Sequence, residues 1–460
     1  MSLTDAGPAE AARAAKTASH ILATLSADER NSALTAMHSA LTAARETILE
    51  ANAADLAAAE QEAAAGRLNP SLVSRLDLGR KGKWEDMLQG ILDVRALPDP
   101  LGIVTIRTRL DDGLELERVS CPIGVLLVIF EARPEVLANI AALAVKSGNA
   151  ALLKGGKEST RTMLAMAAAL STALLQKESA VPSAAVQLVT RRDVVAELLA
   201  LDRDIDLVVP RGSNELVRSI KAGTRIPVLG HADGICSVFL DIGLCSPPDA
   251  AMAAAVLLDA KTGYPAACNS VETLLVHADA VEKPAFAAIV VALLAAGVTL
   301  HCDEATLKAA SAAVTADGNG QTKTSLLRPA VAADFDTEFL SLDLAVRTVP
   351  SLTAAIVHIN EHGSHHTDAI LSRSSENAEH FMAAVDSAGV YWNASTRFAD
   401  GMRYGFGTEV GISTNKIHSR GPVGLEGLTI YKYKLRGTGQ AASQYGDGKR
   451  YFKHEPLPLL

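Results

Sequence analysis

The 460-residue chain has few aromatic residues and no excess of basic residues, and both shortages argue against nucleic-acid binding. Aromatic residues make up 4% of the sequence, too few for a base-stacking surface. Lys and Arg number 43 against 52 Asp and Glu, which gives a formal net charge of −9 and no cluster of cations to neutralise phosphates. A nucleic-acid partner is therefore not expected.

The chain also lacks an apolar run long enough to cross a membrane. Its longest charge-free apolar stretch, residues 284–300, contains Gly297 and is shorter than the about 20 residues that a spanning helix needs. The first 20 residues contain Asp5 and Glu10 and no apolar core of a signal peptide. The sequence thus predicts no membrane partner and a cytoplasmic location.

Cysteine is scarce and irregularly spaced. The five cysteines form no C-x-x-C pair, and a chain of this length needs no disulfide to fold. A reducing compartment is the expected environment, in which one thiol can be reactive while the others fill small apolar spaces. The cysteines are Cys121, Cys236, Cys245, Cys268 and Cys302.

The first third of the chain combines a helical region with one hairpin. Residues 8–66 are rich in alanine and helical in pattern, with breaks expected near residues 26–28 and 53–55, and residues 75–93 predict a further amphipathic helix. Polar and apolar residues then alternate over residues 103–119 on either side of Asp112–Gly113, the pattern of a β-hairpin.

Fully apolar runs alternating with helical segments follow, and this alternation predicts parallel sheets covered on both faces. We expect an α/β fold with two such domains, separated near Pro247–Pro248, and an exposed turn at residues 317–320 in the second. A last strand is expected at residues 428–436, at a sheet edge because it carries Lys432 and Lys434. The apolar runs are residues 124–130, 150–154, 186–189, 205–209, 227–230 and 237–240, then 273–277, 298–302, 344–349, 368–371 and 389–394.

Two strand-to-helix junctions suggest a nucleotide site. Gly212–Ser213 would offer backbone N–H groups and a helix dipole to an anion, although Ser213 can equally be a plain helix cap. Lys154 and Lys157 follow another strand and would suit ribose and phosphate groups, or would simply be solvated in a turn.

Two further segments contain reactive side chains. Cys268 lies in a loop before an apolar strand, where it is either a nucleophile or a small buried filler. His362, His365, His366 and Asp368 resemble metal ligands at first sight, but Gly363–Ser364 favour a loop and no thiolate is near in the sequence. We expect no resident metal.

Taken together, these segments closely resemble the γ-glutamyl phosphate reductases, also called glutamate-5-semialdehyde dehydrogenases, a family of the aldehyde dehydrogenase superfamily. The resemblance covers nearly the whole chain and matches the stand-alone form without a fused kinase domain. The matching stretches are residues 121–159, 209–217, 227–241, 264–277 (YPAACNSVETLLVH), 338–346, 362–370 and 392–428.

The resemblance implies NADPH-dependent reduction of L-glutamate 5-phosphate to L-glutamate 5-semialdehyde and phosphate through a cysteine thioester, the second step of proline synthesis. It implies NADP(H) as cofactor, a homo-oligomer and functional coupling to glutamate 5-kinase. It also implies an aldehyde dehydrogenase-like fold of two Rossmann-like doubly wound α/β domains and a small β oligomerisation flap. The implied segments are an NADP-binding domain at 1–102 and 121–236, the flap at 103–120 and 425–445, a catalytic domain at 237–424 and a tail at 446–460.

The resemblance assigns roles residue by residue. The nucleophile falls on Cys268, and its backbone N–H is the first candidate to bind the oxyanion. Arg397 is expected to pair with the substrate α-carboxylate, because a guanidinium binds a carboxylate through two hydrogen bonds. The other substrate residues are expected to be Ser395, Arg133, His231 and Asp233, and the cofactor residues Lys154, Gly156, Lys157, Gly212, Ser213 and Glu338.

Two departures from the wider superfamily bear on the chemistry. The oxyanion-hole Asn of a P-W-N motif is replaced by residues 130–134 (FEARP), which leaves the second oxyanion donor unassigned. The Glu that activates water near residue 230 is missing from LGHADG. This absence suits an acyl group that is exchanged with phosphate instead of water.

Two rival functions remain open at this point. One is an aldehyde dehydrogenase with another acyl acceptor, such as coenzyme A, which a substrate screen would distinguish. The other is a catalytically silent oligomeric scaffold, against which the presence of Cys268 and the nucleotide residues argues.

Overall fold

The computed structural model describes residues 6–68, 70–190, 194–316 and 324–459, which form two compact units. Unit 1 comprises Met1–Gly230, Gly405–Gly411 and Val423–Leu460, and unit 2 comprises His231–Tyr404 and Ile412–Pro422. The units divide at Gly230, whereas the predicted boundary falls after residue 236. The turn predicted at 317–320 lies outside the described residues.

Helices make up the outer layers of both units. Among the described residues, no helix is both long enough and apolar enough to cross a membrane. The helices are α1 Pro8–Leu22, α2 Ala27–Ala43, α3 Arg45–Ala64, α4 Pro70–Leu76, α5 Lys83–Ala96, α6 Val136–Lys146, α7 Thr160–Leu174, α8 Val195–Leu199, α9 Asn214–Gly223, α10 Pro247–Thr262, α11 Pro284–Ala295, α12 Glu304–Ala316, α13 Leu352–His362, α14 Ser375–Ala384 and α15 Gly401–Tyr404.

The strands of the described residues belong to four sheets, and the two largest sheets of the α/β domains are parallel. The orders are β5-β4-β3-β6, β10-β9-β11-β8-β7-β12-β13, β16-β2-β1-β17 and the pair β14-β15. The strands are β1 Val104–Asp111, β2 Leu114–Pro122, β3 Val125–Phe130, β4 Ala150–Gly155, β5 Val186–Leu188, β6 Leu207–Arg211, β7 Cys236–Leu240, β8 Val271–His277, β9 Thr299–Cys302, β10 Leu327–Pro329, β11 Asp343–Val349, β12 Thr367–Leu371, β13 Gly389–Trp392, β14 Gly411–Ser413, β15 Gly421–Val423, β16 Thr429–Arg436 and β17 Glu455–Pro456.

The parallel sheet of unit 1 confirms the strands predicted from fully apolar runs. All six residues of β3 are buried, because helices cover both faces of the sheet. The run at residues 227–230 is an exception, since it makes only a single bridge, between Val208 and Val228, and no strand.

The N-terminal helices differ from the prediction in where they break. The break near residues 26–28 is confirmed, and Ser26 caps α2 by accepting a hydrogen bond from Glu29 N. The break expected at residues 53–55 is wrong: α3 continues through them, and buried Asp55 accepts hydrogen bonds from Thr162 N and Oγ1, each at 2.8 Å. The helix predicted over 75–93 begins only at Lys83, after Gly82 with φ +86°.

The flap sheet of unit 1 is built on the predicted hairpin, in which Gly113 has φ +72° at the turn between β1 and β2. Strand β16 pairs with β2 and forms one edge, as expected. The segment 446–460, expected to be a C-terminal tail, contains β17, which pairs with β1 and forms the other edge of the sheet. Arg109 Nη1 donates to Glu455 Oε2 at 2.8 Å across this pair, and Leu457 N donates to Arg107 O at 2.9 Å.

The seven-stranded parallel sheet of unit 2 contains β7 as an interior strand, between β8 and β12. Cys236 therefore begins a strand of unit 2, whereas the predicted first domain extends to residue 236. Strands β7, β8 and β12 are almost fully buried because α10 and α11 pack on one face and α13 and α14 on the other.

Candidate active site

The starts of three neighbouring strands bring the candidate nucleophile together with two histidines. His231 lies in the loop before β7, Cys268 in the loop before β8, and His366 directly before β12. Because β8, β7 and β12 are adjacent and parallel, their starts meet at one edge of the sheet. One side-chain atom of each residue, the Cys268 sulfur included, lies within 4.8 Å of the others. We call these three residues the His–Cys–His cluster.

The loop that carries Cys268 is anchored at both ends. Lys261 near the end of α10 and Glu272 in β8 form a fully buried ion pair with an Nζ to Oε2 distance of 2.5 Å. Burial raises the pKa of Glu272 to about 7 and lowers that of Lys261. Ser270 Oγ also donates to Ala260 O at 3.1 Å. Cys268 is half-buried at the end of this fixed loop.

A close backbone contact sets the position of Cys268 relative to β7. A Cβ at Gly234 would collide with the backbone of Cys268, so this position requires glycine. Gly234 N donates to Glu338 Oε1 at 2.9 Å, and Cys236 Sγ donates to Cys268 O at 3.3 Å. Glu338, predicted to bind the cofactor, thus contacts the glycine that packs against the candidate nucleophile.

Arg397 lies beside the Cys268 loop in a polar network. Its guanidinium donates to Asn269 Oδ1, and its backbone N donates to Ser395 Oγ at 3.2 Å. Burial lowers the pKa of Arg397, as does the neighbouring Arg403, while the Cys268 thiolate favours the charged guanidinium. Within the described structure Arg397 Nε is buried without a hydrogen-bond partner. Arg397 therefore presents an unused donor near the candidate nucleophile.

The four candidate metal ligands of the HGSHHTD segment have different neighbours. His362 Nδ1 lies 2.8 Å from Asp336 Oδ1, and His365 Nδ1 lies 2.7 Å from Asp386 O. Asp368 is fully buried, which raises its pKa to about 7, and it accepts from Ser237 N at 2.6 Å. His366 alone joins Cys268.

The substrate residues predicted in the loop before β7 are half-buried. His231 Nδ1 lies 3.1 Å from Ile412 O, and Asp233 directly precedes Gly234. Ser395 is buried and positions Arg397. These three residues lie in the same unit as Cys268, whereas Arg133 lies in unit 1 in the loop between β3 and α6.

In unit 1, Lys154 and Lys157 line a cavity of about 110 Å³ at the carboxyl end of β4. Lys154 donates to Gly155 O at 2.9 Å, while Lys157 is exposed. Parallel sheets bind nucleotides at this end of their strands, and two cations beside a cavity fit the ribose and phosphate groups of a nicotinamide dinucleotide. The Glu158 carboxylate occupies the space where a Cβ at Gly156 would lie.

The helix N-terminus at Gly212–Ser213 already holds an anionic side chain. Ser213 N donates to Glu131 Oε2 at 3.0 Å, and Ser213 Oγ accepts from Leu216 N as the cap of α9. The capping alternative is therefore realised, and a cofactor phosphate could contact Ser213 N only after the Glu131 carboxylate moves away. Glu131 belongs to the FEARP segment, residues 130–134.

Sequence reasoning missed two residues of the site. His366 was considered only as a metal ligand, and Asn269, which holds both Arg397 and Ala399 O, was not singled out. The position of Asn269 next to Cys268 was the only available signal for it. For His366 the signal was its position shortly before a predicted strand. Cys268 also lies shortly before a predicted strand, and the starts of parallel strands meet at one edge of a sheet.

Comparisons with known proteins give consistent results. The chain is 53% identical over 452 residues to a probable γ-glutamyl phosphate reductase of Schizosaccharomyces pombe, covering 98% of this chain and 97% of that protein. It is 51% identical over 459 residues to the γ-glutamyl phosphate reductase of Saccharomyces cerevisiae, covering 97% of each. No protein-family model matches the chain.

Solved structures show the same similarity. A crystal structure of γ-glutamyl phosphate reductase from Thermotoga maritima matches with a TM-score of 0.85 and 35% identity, over 94% of this chain and 99% of that one. An acetylating aldehyde dehydrogenase from Geobacillus thermoglucosidasius matches with a TM-score of 0.61 and 17% identity, over 94% and 97% of the two chains. At that identity the second match shows an aldehyde dehydrogenase-like fold only.

Proposed function

The chain belongs to the γ-glutamyl phosphate reductase family, and from this membership we propose the following account of its reaction and of its residues. The protein is an oxidoreductase that reduces L-glutamate 5-phosphate to L-glutamate 5-semialdehyde and phosphate, the second step of proline biosynthesis. It uses a nicotinamide cofactor. The observation that carries the mechanism is the anchored Cys268 with two imidazoles and Arg397 beside it.

Cys268 is the proposed nucleophile. Its thiolate attacks the 5-carbonyl carbon of the acyl phosphate; the new C–S bond forms, the C–O bond to phosphate breaks, and phosphate leaves. The nicotinamide, when bound, supplies the hydride that reduces the resulting thioester. Collapse of the thiohemiacetal then breaks the C–S bond, returns the thiolate and releases the aldehyde. The backbone N–H of Cys268 is proposed to donate to the oxyanion.

Arg397 is proposed to bind the α-carboxylate of the substrate. In the protein without substrate, the buried Nε without a hydrogen-bond partner lowers the stability of the fold. A bound carboxylate would remove this penalty by accepting a charge-assisted hydrogen bond. Asn269 accepts a hydrogen bond from the guanidinium, and Ser395 accepts one from the backbone N of Arg397. His231 and Asp233 are proposed to contact the substrate, and Arg133 to contribute to the binding of the phosphate group.

We propose NADP(H) as the preferred cofactor, with Lys154, Gly156 and Lys157 on its adenosine ribose and 2′-phosphate. The cations at the cavity and the exposure of Lys157 favour a phosphate there. Gly212 and Ser213 are proposed to contact the cofactor phosphates once Glu131 has left Ser213 N. Glu338 is proposed to bind the nicotinamide ribose.

Lys157→Glu should shift the cofactor preference from NADP(H) toward NAD(H). The substitution replaces an attractive charge with a repulsive one, and a charged hydrogen bond is worth about 1.5–3 kcal/mol, or about 10–150-fold in affinity. The kcat/KM with NADP(H) divided by that with NAD(H) should therefore fall at least about tenfold. Lys177→Glu, the same charge change at an exposed residue outside the cavity, is the control. Equal use of both cofactors by the unmodified enzyme would refute the assignment.

The flap is proposed to join copies of this chain into a homo-oligomer. Tyr431, Tyr433 and Leu435 project from one face of edge strand β16 and are each more than half exposed. Such an apolar row on an unpaired edge is expected to be covered by another chain. We also propose a cytoplasmic location. We propose functional coupling to glutamate 5-kinase because that kinase produces the acyl phosphate.

A substrate and acceptor screen tests the proposed function. With NADP, the enzyme should oxidise glutamate 5-semialdehyde at least about 10²-fold more efficiently, by kcat/KM, than aldehydes of similar length without the α-carboxylate, since a buried unpaired Arg397 penalises them. Phosphate should be the acyl acceptor in this assay. Efficient turnover with coenzyme A in place of phosphate would instead support an acylating aldehyde dehydrogenase of another class.

A further inference from the structure

The His–Cys–His cluster has a property that the reductase reaction does not require. The rings of His231 and His366 meet edge to face, with centroids 5.2 Å apart and an interplanar angle of 85°. His366 is 1% exposed, and its Nε2 has no hydrogen-bond partner in the described structure. A buried nitrogen without a partner, beside a thiol and a second imidazole, is a ready ligand for a metal ion.

Neighbouring oxygens set the orientation of both imidazoles. His231 Nδ1 lies 3.1 Å from Ile412 O, and since a carbonyl only accepts, Nδ1 carries the proton and Nε2 the lone pair. His366 Nδ1 lies 2.9 Å from Thr367 Oγ1 and leaves Nε2 for the cluster. Metal-binding histidines commonly have such a second partner, which fixes the tautomer and the ring.

The donor set and its spacing select the metal. Imidazole nitrogen and thiolate sulfur are the ligands of Zn²⁺, whereas Mg²⁺ and Ca²⁺ require oxygen. With Zn–S of about 2.3 Å and Zn–N of about 2.0–2.1 Å, a tetrahedral ion spaces these ligand atoms about 3.3–3.6 Å apart. The three atoms lie within 4.8 Å of one another, so a contraction of at most about 1.5 Å completes three positions and leaves the fourth for water.

We propose that Zn²⁺ binds to Cys268, His231 and His366 and reversibly inhibits the enzyme. Binding forms a Zn–S bond, and the proton of the Cys268 thiol passes to solvent without any redox change. A thiolate bound to Zn²⁺ no longer attacks the acyl phosphate, so turnover stops. The inhibition rests on the proposed role of Cys268, but the binding of the metal does not.

The test measures binding and activity separately on the full chain. Co²⁺, the spectroscopic substitute for Zn²⁺, should bind once per chain and give a thiolate-to-cobalt charge-transfer band, and Zn²⁺ should displace it. Zn²⁺ should lower NADPH oxidation with glutamate 5-phosphate at least about tenfold, and a chelator should restore it. Zn²⁺ should also protect Cys268 from iodoacetamide, as measured by peptide mass spectrometry. Mg²⁺ at the same concentration should do none of this.

Matched variants assign the effect to the cluster. Cys268→Ala should remove the charge-transfer band, while Cys245→Ala, which removes an exposed thiol elsewhere in the unit, should leave binding and inhibition unchanged. His366→Gln and His231→Gln should each weaken Co²⁺ binding at least about tenfold; because His366 is buried and His231 is half-exposed, the second variant serves if the first fails to fold.

The outcomes separate this proposal from the proposed function. No charge-transfer band in the unmodified protein, or a band that persists in Cys268→Ala, overturns the metal site. Bound Zn²⁺ that leaves turnover unchanged or raises it overturns the inhibition. An enzyme without reductase activity that still binds Co²⁺ through Cys268 would contradict the proposed function and leave the metal site standing.

Discussion

Cys268→Ala should lower turnover by on the order of 10⁴-fold or more while leaving the fold intact. Without the sulfur no thioester forms, so the hydride has no acyl-enzyme to reduce and the covalent route is lost entirely. The substitution removes one atom from a half-buried side chain, so the midpoint of thermal unfolding should change little. Steady-state NADPH oxidation with glutamate 5-phosphate, together with NADPH binding by fluorescence, checks both expectations.

Cys245→Ala is the matched control for this substitution. Cys245 lies in the same unit, is more exposed than Cys268 and should retain activity within about twofold, as expected for a surface substitution away from the site. Comparable loss of activity in both variants would point to a general effect on the unit. Full activity in Cys268→Ala would eliminate the thioester mechanism.

Inorganic phosphate should be an obligatory acyl acceptor in the oxidative direction. After hydride leaves the thiohemiacetal, the acyl group remains on Cys268, and the GHADG loop supplies no Glu to activate water. Since a positioned base contributes about 10²–10⁴-fold, hydrolysis without one should be slower than phosphorolysis by about that factor. NADPH formation from semialdehyde and NADP should therefore rise saturably with phosphate, at least about 10²-fold above the phosphate-free rate.

Two anions control this experiment. Sulfate at the same ionic strength should give no rise, because it does not accept an acyl group. Arsenate should support steady turnover with glutamate as product, since an acyl arsenate hydrolyses spontaneously. Steady turnover in phosphate-free buffer with accumulation of free glutamate would identify a hydrolytic dehydrogenase and contradict the prediction.

The fold was predictable where a short segment determines its own structure. Fully apolar runs such as β3 favour buried strands, and Asp112–Gly113 favours a tight turn, so most of the parallel sheets and the hairpin follow from local patterns. The predictions failed where contacts between residues distant in the sequence determine the local structure. Helix α3 continues through Asp55 because Thr162 in α7 satisfies that buried carboxylate, and the tail forms β17 because β1 offers it an edge.

The candidate site divides in the same way. The resemblance located Cys268 and Arg397 by their motifs. The proximity of His366 to Cys268 depends on the order β8-β7-β12, in which strands distant in the chain become neighbours, and no local pattern encodes that order. Likewise, only the fold shows that Glu131 takes the anion position at Ser213.

The pairing of β17 with β1 has a consequence for synthesis of the protein. Arg109 and Glu455, which bond across this pair, are 346 residues apart. The ribosome therefore releases β1 long before its partner exists, and the hairpin edge stays open during most of translation. Contacts of such high sequence separation form slowly, and an open strand edge is prone to pair with other chains. Until residues 455–456 emerge, this edge of the nascent chain is therefore a place where other chains can pair with it.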